Sequence, residues 1–120
     1  MWITIRTKST TLSPRQRRNV EAFIRRTFQR EQEKIASCVL TIGPTKVGGG
    51  ETGFSCHLKL WSSLLGSVVV RDAADTIRSA VQTAALRARH AARRQLHKRG
   101  SQSRRLGHHQ LSRWLTGLVE

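Results

Sequence analysis

Hydrophobic and polar residues alternate at the start of the chain, from Trp2 to Thr7. Because side chains in a strand point to opposite faces in turn, this pattern puts Ile3 and Ile5 on one face and Trp2 and Arg6 on the other. The segment is therefore predicted to be the first β-strand.

A helical pattern follows the first strand. Ser13, Pro14 and Gln16 have the spacing of an N-cap, a proline at the first helical position and a capping box, so the first helix is predicted to begin there. The apolar residues that recur at helical spacing are Val20, Phe23, Ile24, Thr27 and Phe28. We expect them to form a buried stripe that ends near Ile35, with Glu31, the next position in the series, outside it.

Three more strands are predicted in quick succession. Alternating residues over 38–42 and 54–61 indicate two strands, and the glycine-rich segment 43–53 between them predicts a mobile hairpin loop. A β-branched run within 65–71 predicts a further strand. The short links favour an antiparallel meander.

A second helix is predicted to begin at Asp72–Asp75, where the acidic residues suit the positive end of a helix dipole, and to run to about Arg99. Its predicted buried side is mostly alanine, so close packing is expected. The residues on that side are Ile77, Ala80, Val81, Ala84, Ala85, Ala88, Ala91 and Ala92.

These elements predict an α+β fold of β-α-β-β-β-α order. Residues 1–99 are interpreted as one domain, and 100–120 as a basic linker followed by a short amphipathic helix. The apolar stripe of that helix is a predicted protein contact or self-docking surface, made of Leu111, Trp114, Leu115 and Leu118.

Charge changes the interpretation of this fold. The chain has 22 Lys and Arg against 7 Asp and Glu, for a formal net charge of +15. After Asp75 no acidic residue occurs before Glu120, whereas ten Lys or Arg lie between them. Such an excess points to a polyanionic partner, either nucleic acid or an anionic membrane surface.

The charge also has a predicted location. The arc of the second helix opposite its alanines carries the main candidate RNA-binding residues Arg87, Arg89, His90, Arg93, Arg94, His97, Lys98 and Arg99. The first helix adds Arg15, Arg18 and Arg25. We expect the cations of the second helix to contact phosphates as a group and to be dispensable for folding, since they lie off the alanine side.

Other chemistry finds little support. Cys56 and His57 are adjacent in a strand, where they would face opposite ways and could not act as a nucleophile and its base. Cys38 and Cys56 are expected to be buried free thiols, and His108 and His109 lack further ligands for a metal. We expect no enzyme activity, no cofactor and no metal. The N-terminus lacks the pattern of a signal peptide and no run has the length of a membrane span, so a cytoplasmic protein without membrane contact is expected.

The order of elements, with Arg94-Gln95-Leu96-His97-Lys98 at the end of the second helix, resembles the ribosome hibernation-promoting factor and ribosome-associated inhibitor family, also known as sigma-54 modulation proteins. Ala73 to Val81 is similar to the start of this helix in divergent short members. The resemblance covers residues 1–99. It implies a four-stranded mixed sheet that carries both helices on one face, in a layout like that of a double-stranded-RNA-binding domain. It also implies a place in the decoding region of the small ribosomal subunit, where a stress-response factor excludes tRNA and mRNA and suppresses translation.

Two other functions remain open on the residues alone. Charge and fold suit a general structured-RNA-binding protein or RNA chaperone that is not dedicated to the ribosome. The C-terminal apolar stripe suits recruitment of a protein partner. Trp2 and Trp61 are predicted to share the sheet face without helices, where they could stack on bases or pack against the C-terminal segment.

Overall fold

The computed structural model describes residues 1–48 and 50–119, with side chains through Lys98 except that of Val47. The predicted α+β fold and the β-α-β-β-β-α order are confirmed. A short 3-10 turn, Gln32–Lys34, precedes the second strand. The main elements are β1 (Trp2–Thr7), α1 (Pro14–Thr27), β2 (Ser37–Val47), β3 (Glu51–Ser62), β4 (Gly66–Ala74) and α2 (Ile77–Val119).

The four strands form one mixed sheet in the order β1-β2-β3-β4. β1 lies parallel to β2, whereas the β2–β3 and β3–β4 pairs are antiparallel, as the predicted meander requires. The parallel pair needs a crossover, which α1 supplies. Both helices lie on the same face, with α2 over β3 and β4 and α1 nearer β1.

The core lies between the sheet and the helices. Alternate residues of the strands point into it, among them Leu40, Leu58 and Val70, which are neighbours across three strands. α2 contributes Ala80, Ala84, Ala85, Ala88 and Ala92, all of them fully buried. Small side chains allow a helix backbone to approach the sheet closely, so the predicted alanine side is confirmed as the packing surface.

The local sequence predicts the beginning of α1 well and its end poorly. The capping box is present: Gln16 N donates to Ser13 Oγ at 3.1 Å, and Ser13 N donates to Gln16 Oε1 at 2.8 Å. The helix ends at Thr27 rather than near Ile35, because the chain turns at Phe28 to bury both Phe28 and Ile35. Phe23, expected to be buried, is only partly so.

The predicted loop over 43–53 is wrong in most of its length. β2 continues to Val47 and β3 begins at Glu51, so the two strands take up most of the predicted loop. Pro44 is accommodated in the strand because the last β1 partner of β2 is Ile42, which leaves the far edge of β2 unpaired at Pro44. Gly43 lies at a close approach of two backbones, since a Cβ atom there would lie 3.1 Å from the carbonyl oxygen of Lys8.

The boundary between β4 and α2 is also displaced. β4 continues through Asp72 to Ala74, because Asp72 follows Val68 and Val70 on the same strand face and pairs with Cys56. α2 begins at Ile77. Its N-cap acceptor is Thr76 Oγ1, which accepts from Ser79 N at 3.1 Å, so the predicted helix start at Asp72–Asp75 is wrong.

α2 continues without interruption through Val119, whereas the sequence predicted a linker and then a separate short helix. The segment after Arg99 contains glycines but no proline, and a single glycine lowers helix stability by only about 1 kcal/mol relative to alanine. The side chains of Leu111, Trp114, Leu115 and Leu118 lie outside the described ones. Their contact with a partner or with the sheet therefore stays a prediction.

The two cysteines are free and buried, as predicted. Burial raises the pKa of the Cys38 thiol from 9.0 to about 12. Burial, with smaller contributions from Cys38 and Asp72, raises the pKa of the Cys56 thiol to about 12. The core therefore holds both thiols in the neutral form.

We expect slow alkylation of both thiols by iodoacetamide at pH 8 in the native protein and fast alkylation in guanidinium chloride, because the thiolate is the reactive form. A raised acid pKa favours folding below the unfolded value, so this contribution to stability is complete below about pH 9 and is lost as the pH rises towards 12. Mass spectrometry of time points measures the alkylation. Equal rates in the two conditions would contradict burial of the thiols.

Candidate nucleic-acid interface

The packing of α2 determines which of its cations face solvent. Because the alanine side lies on the sheet, the opposite arc points outward at 100° per residue. His90, Arg94, His97 and Lys98 are all exposed there, and none of them forms an ion pair with a described residue. The side chain of Arg99 lies outside the described ones. Four of the eight predicted contacts on α2 are thus available to an anion.

Arg87 has a different environment, at the edge of the sheet. Its Nη1 donates to Asp72 Oδ2 at 2.8 Å and to the carbonyl oxygen of Arg71 at 3.1 Å. The side chain remains 58% exposed. Arg87 therefore fastens α2 to β4, and part of its charge is already compensated by the carboxylate.

Arg93 contacts the turn that follows α1, and Arg89 is partly buried. Arg93 Nε donates to Glu31 Oε1, and the Glu31 side chain is only 7% exposed. The second carboxylate oxygen of Glu31 and the Nε atom of Arg89 are buried without a hydrogen-bond partner in the described part of the chain. Glu31, expected outside the buried stripe, is in fact buried, and this ion pair connects the end of α1 to α2.

The ion pair corrects one expectation about the site. The cations of α2 were expected to be dispensable for folding, but Arg93 neutralises a buried carboxylate and Arg89 is half-buried. Removing one partner of a buried pair leaves an uncompensated charge in a region of low dielectric constant. Arg93 is therefore a structural residue as well as a candidate contact.

We expect Arg93→Ala to destabilise the protein by about 2 to 4 kcal/mol, because it leaves the Glu31 carboxylate buried alone. Glu31→Gln should cost less, about 1 kcal/mol, since the guanidinium of Arg93 is 42% exposed and can be hydrated. Urea unfolding of the two variants measures the difference. If Glu31→Gln lowered the free energy of unfolding more than Arg93→Ala does, Glu31 would not be the partner that needs the ion pair.

α1 adds cations to the same helical layer. Arg15 and Arg18 are exposed and make no ion pair with a described residue. Arg25 is also exposed but is engaged by Glu21, whose Oε1 lies 3.1 Å from Arg25 Nη2. Two of the three predicted contacts on α1 are therefore free.

A groove of about 610 Å³ separates the two helices. Arg26 lines it from α1 and Arg78 from α2, with the amide side chains of Gln16, Asn19 and Gln82 between them. Arg78 was not among the predicted contacts. The position of Arg78 in the first turn of α2 was a local indication of a binding role. A cation there is unfavourable at the positive end of the helix dipole, which suggests that it interacts with something outside the helix.

The helical basic surface comprises the exposed cations and histidines of both helices whose side chains make neither an ion pair nor a hydrogen bond with a described residue. They are Arg15, Arg18, Arg26, Arg78, His90, Arg94, His97 and Lys98. From Arg78 to Lys98 it extends roughly 30 Å along α2. Guanidinium groups donate forked hydrogen bonds to phosphates and stack on unpaired bases, so this surface is chemically suited to RNA.

Metal binding and membrane insertion are two further properties on which the described residues bear. Within the part of the chain that the structure describes, no group of three or more His, Cys, Asp or Glu side chains is placed to hold a metal ion. Nor does any helix in that part have the length and apolar character needed to cross a membrane. Comparison with models of known protein families and with curated protein sequences finds no match to this chain.

Proposed function

We propose that this protein is a ribosome-associated translation regulator of the hibernation type, which binds small-subunit ribosomal RNA through the helical basic surface and sterically excludes tRNA and mRNA. The observation that carries the proposal is the helical basic surface, a set of exposed cations and histidines on two neighbouring helices that lack ion-pair partners among the described residues. The resemblance of residues 94–98 and 73–81 to the hibernation-factor family supports the ribosomal target.

Electrostatics explains why these cations need a partner. Like charges at i, i+4 on a helix repel each other, as Arg94 and Lys98 do, and no acidic residue of α2 compensates them. Binding a phosphate backbone removes this repulsion and releases condensed counterions. Occupation of the subunit is sufficient for regulation, because a bound protein that fills the path of tRNA or mRNA blocks them without chemistry.

The test combines sedimentation with purified small subunits and translation in a cell-free system. We expect co-sedimentation at physiological salt and a loss of translation that rises with protein concentration. A protein that stays at the top of the gradient, or that binds without reducing translation, would contradict the proposal. A matched pair of variants locates the surface: Arg94→Gln with Lys98→Gln removes two charges from it, whereas Lys34→Gln with Lys46→Gln removes two exposed charges elsewhere.

The groove favours a second candidate, a structured-RNA-binding protein or RNA chaperone without a dedicated ribosomal target. Arg26 and Arg78 line this groove from opposite helices, an arrangement that suits a phosphate backbone of any RNA. Competition distinguishes the two functions. An excess of unrelated structured RNA should leave subunit binding intact if the ribosome is the target, and should abolish it if recognition is general.

A further inference from the structure

The sheet has a second face, directed away from both helices, which we call the outer sheet face. Alternate strand residues point to it, opposite to the core positions. Its central residues are Trp2, Thr4, Arg6, Ser37, Val39, Thr41, His57, Lys59, Trp61, Ser67, Val69 and Arg71. In the described part of the chain this face is open: Trp2 is 75%, Val69 52% and Trp61 48% exposed.

The two tryptophans of this face lie in one row across the sheet. Trp2 and Trp61 are the register partners of Ser37 from its two sides. Two strand spacings therefore separate them, roughly 10 Å between Cα atoms. With only a serine side chain between the rings, each indole can present a face to a flat group.

Cations occupy the next rows of the same face. Lys59 lies beside Val39 and Val69, while Arg6 and Arg71 flank the row of Thr41 and His57. All three cations are exposed, and none forms an ion pair with a described residue. The central residues of this face include no carboxylate. Its potential is therefore positive beside an aromatic platform.

This charge argues against two possible occupants. The C-terminal segment 100–120 carries three arginines and one acidic residue, Glu120, so docking it here would bring like charges together. A second copy would oppose the same cations with its own. The occupant that complements both features is a polyanion with exposed flat rings. RNA presents such unpaired bases in loops, bulges and single-stranded ends.

We propose that the outer sheet face binds a single-stranded stretch of RNA, with bases stacked on Trp2 and Trp61 and phosphates held by Arg6, Lys59 and Arg71. Duplex RNA does not fit, because paired bases cannot stack on the rings. The outer sheet face lies on the opposite side of the sheet from the helical basic surface. One molecule can therefore hold an unpaired strand while its helices are engaged elsewhere.

The test uses the full chain and a fluorescein-labelled 12-nucleotide oligouridine, with an RNA duplex of the same length as a second probe. We expect Trp2→Ala with Trp61→Ala to weaken oligouridine binding by about 30-fold or more, since each stacked base contributes to affinity. The control variant Leu64→Ala with Leu86→Ala removes two exposed apolar side chains elsewhere and should bind normally. Neutralising Arg6, Lys59 and Arg71 should lower the log–log salt slope by about 2.

Several outcomes would overturn the proposal. They are wild-type protein that fails to bind oligouridine, a tryptophan variant that binds as the wild type does, and equal loss in the control variant. If the tryptophan variant lowers the melting temperature as much as truncation after Gly100 does, the C-terminal segment covers this face. If it instead dissolves a dimer detected by sedimentation, a second copy does. Either result would also refute RNA as the occupant.

The test of the outer sheet face can be distinguished from the test of the proposed ribosomal function. The tryptophan variant should keep its binding to small subunits, because the helical basic surface is unchanged. Conversely, a variant neutralised on the helices should lose subunits but still show quenching of tryptophan fluorescence by oligouridine. Failure of one property with retention of the other identifies which proposal is wrong.

Discussion

Neutralising four exposed cations of the helical basic surface is expected to weaken binding to small ribosomal subunits by about 100-fold near 0.1 M salt. The log–log salt slope should fall by about 3 to 4, one phosphate contact for each charge removed. The substitutions are Arg15→Gln, Arg18→Gln, Arg94→Gln and Lys98→Gln. These side chains are exposed and have no ion pair with a described residue, so stability should change little.

Glutamine is chosen because its helix propensity is close to those of arginine and lysine. A control with the same net charge isolates the position of the cations from their number. It replaces exposed residues outside the two helices: Lys8→Gln, Arg30→Gln, Lys34→Gln and Lys46→Gln. If both variants lose affinity equally, binding depends on total charge and the helices are not the specific contact. Circular dichroism melting confirms that each variant is folded.

The largest loss of stability is expected from Phe28→Ala. Phe28 is fully buried at the point where the chain leaves α1, and removing its ring creates a cavity in the core. Such substitutions typically cost about 3 to 5 kcal/mol, which is a large part of the total stability of a small domain. Urea unfolding followed by far-ultraviolet circular dichroism measures the change in the free energy of unfolding.

Phe23→Ala is the matched control, because Phe23 lies on α1, shortly before Phe28, and is only partly buried. Its loss should be clearly smaller, since less apolar surface is removed from the core and solvent can fill the space. Equal losses would mean that Phe28 does not have the special position that the structure gives it. The comparison also tests where α1 ends, because a helix continuing to Ile35 would place the two rings differently.

Features that depend on neighbouring residues were predictable from the sequence. The capping box of Ser13 and Gln16 and the alanine side of α2 follow from spacing alone, because both arise within one element. The strand pairing was predictable in outline, since short links favour antiparallel neighbours. The extents of β2, β3 and β4 were not, because strand ends depend on ladder hydrogen bonds with partners that the local pattern does not reveal.

The candidate site was predictable only in part, for a similar reason. The exposure of Arg94 and Lys98 follows from the helical projection once the alanines are buried. The pair of Glu31 and Arg93 joins residues 62 positions apart, and no periodicity connects them. Nor could the sequence indicate that Arg78 faces a groove, since that requires the position of α1. Tertiary contacts thus separate the structural cations from the free ones.

The parallel pairing of β1 with β2 has a kinetic consequence. Turns of a few residues connect β2, β3 and β4, whereas β1 meets β2 only after a connection that contains all of α1. Closing the longer loop costs more chain entropy before any contact compensates for it. The meander should therefore form first, and the N-terminal strand should be the last to join and the first to open in hydrogen exchange. Trp2 lies on that strand, so its fluorescence would report the final step of folding. The outer sheet face is complete only after this step.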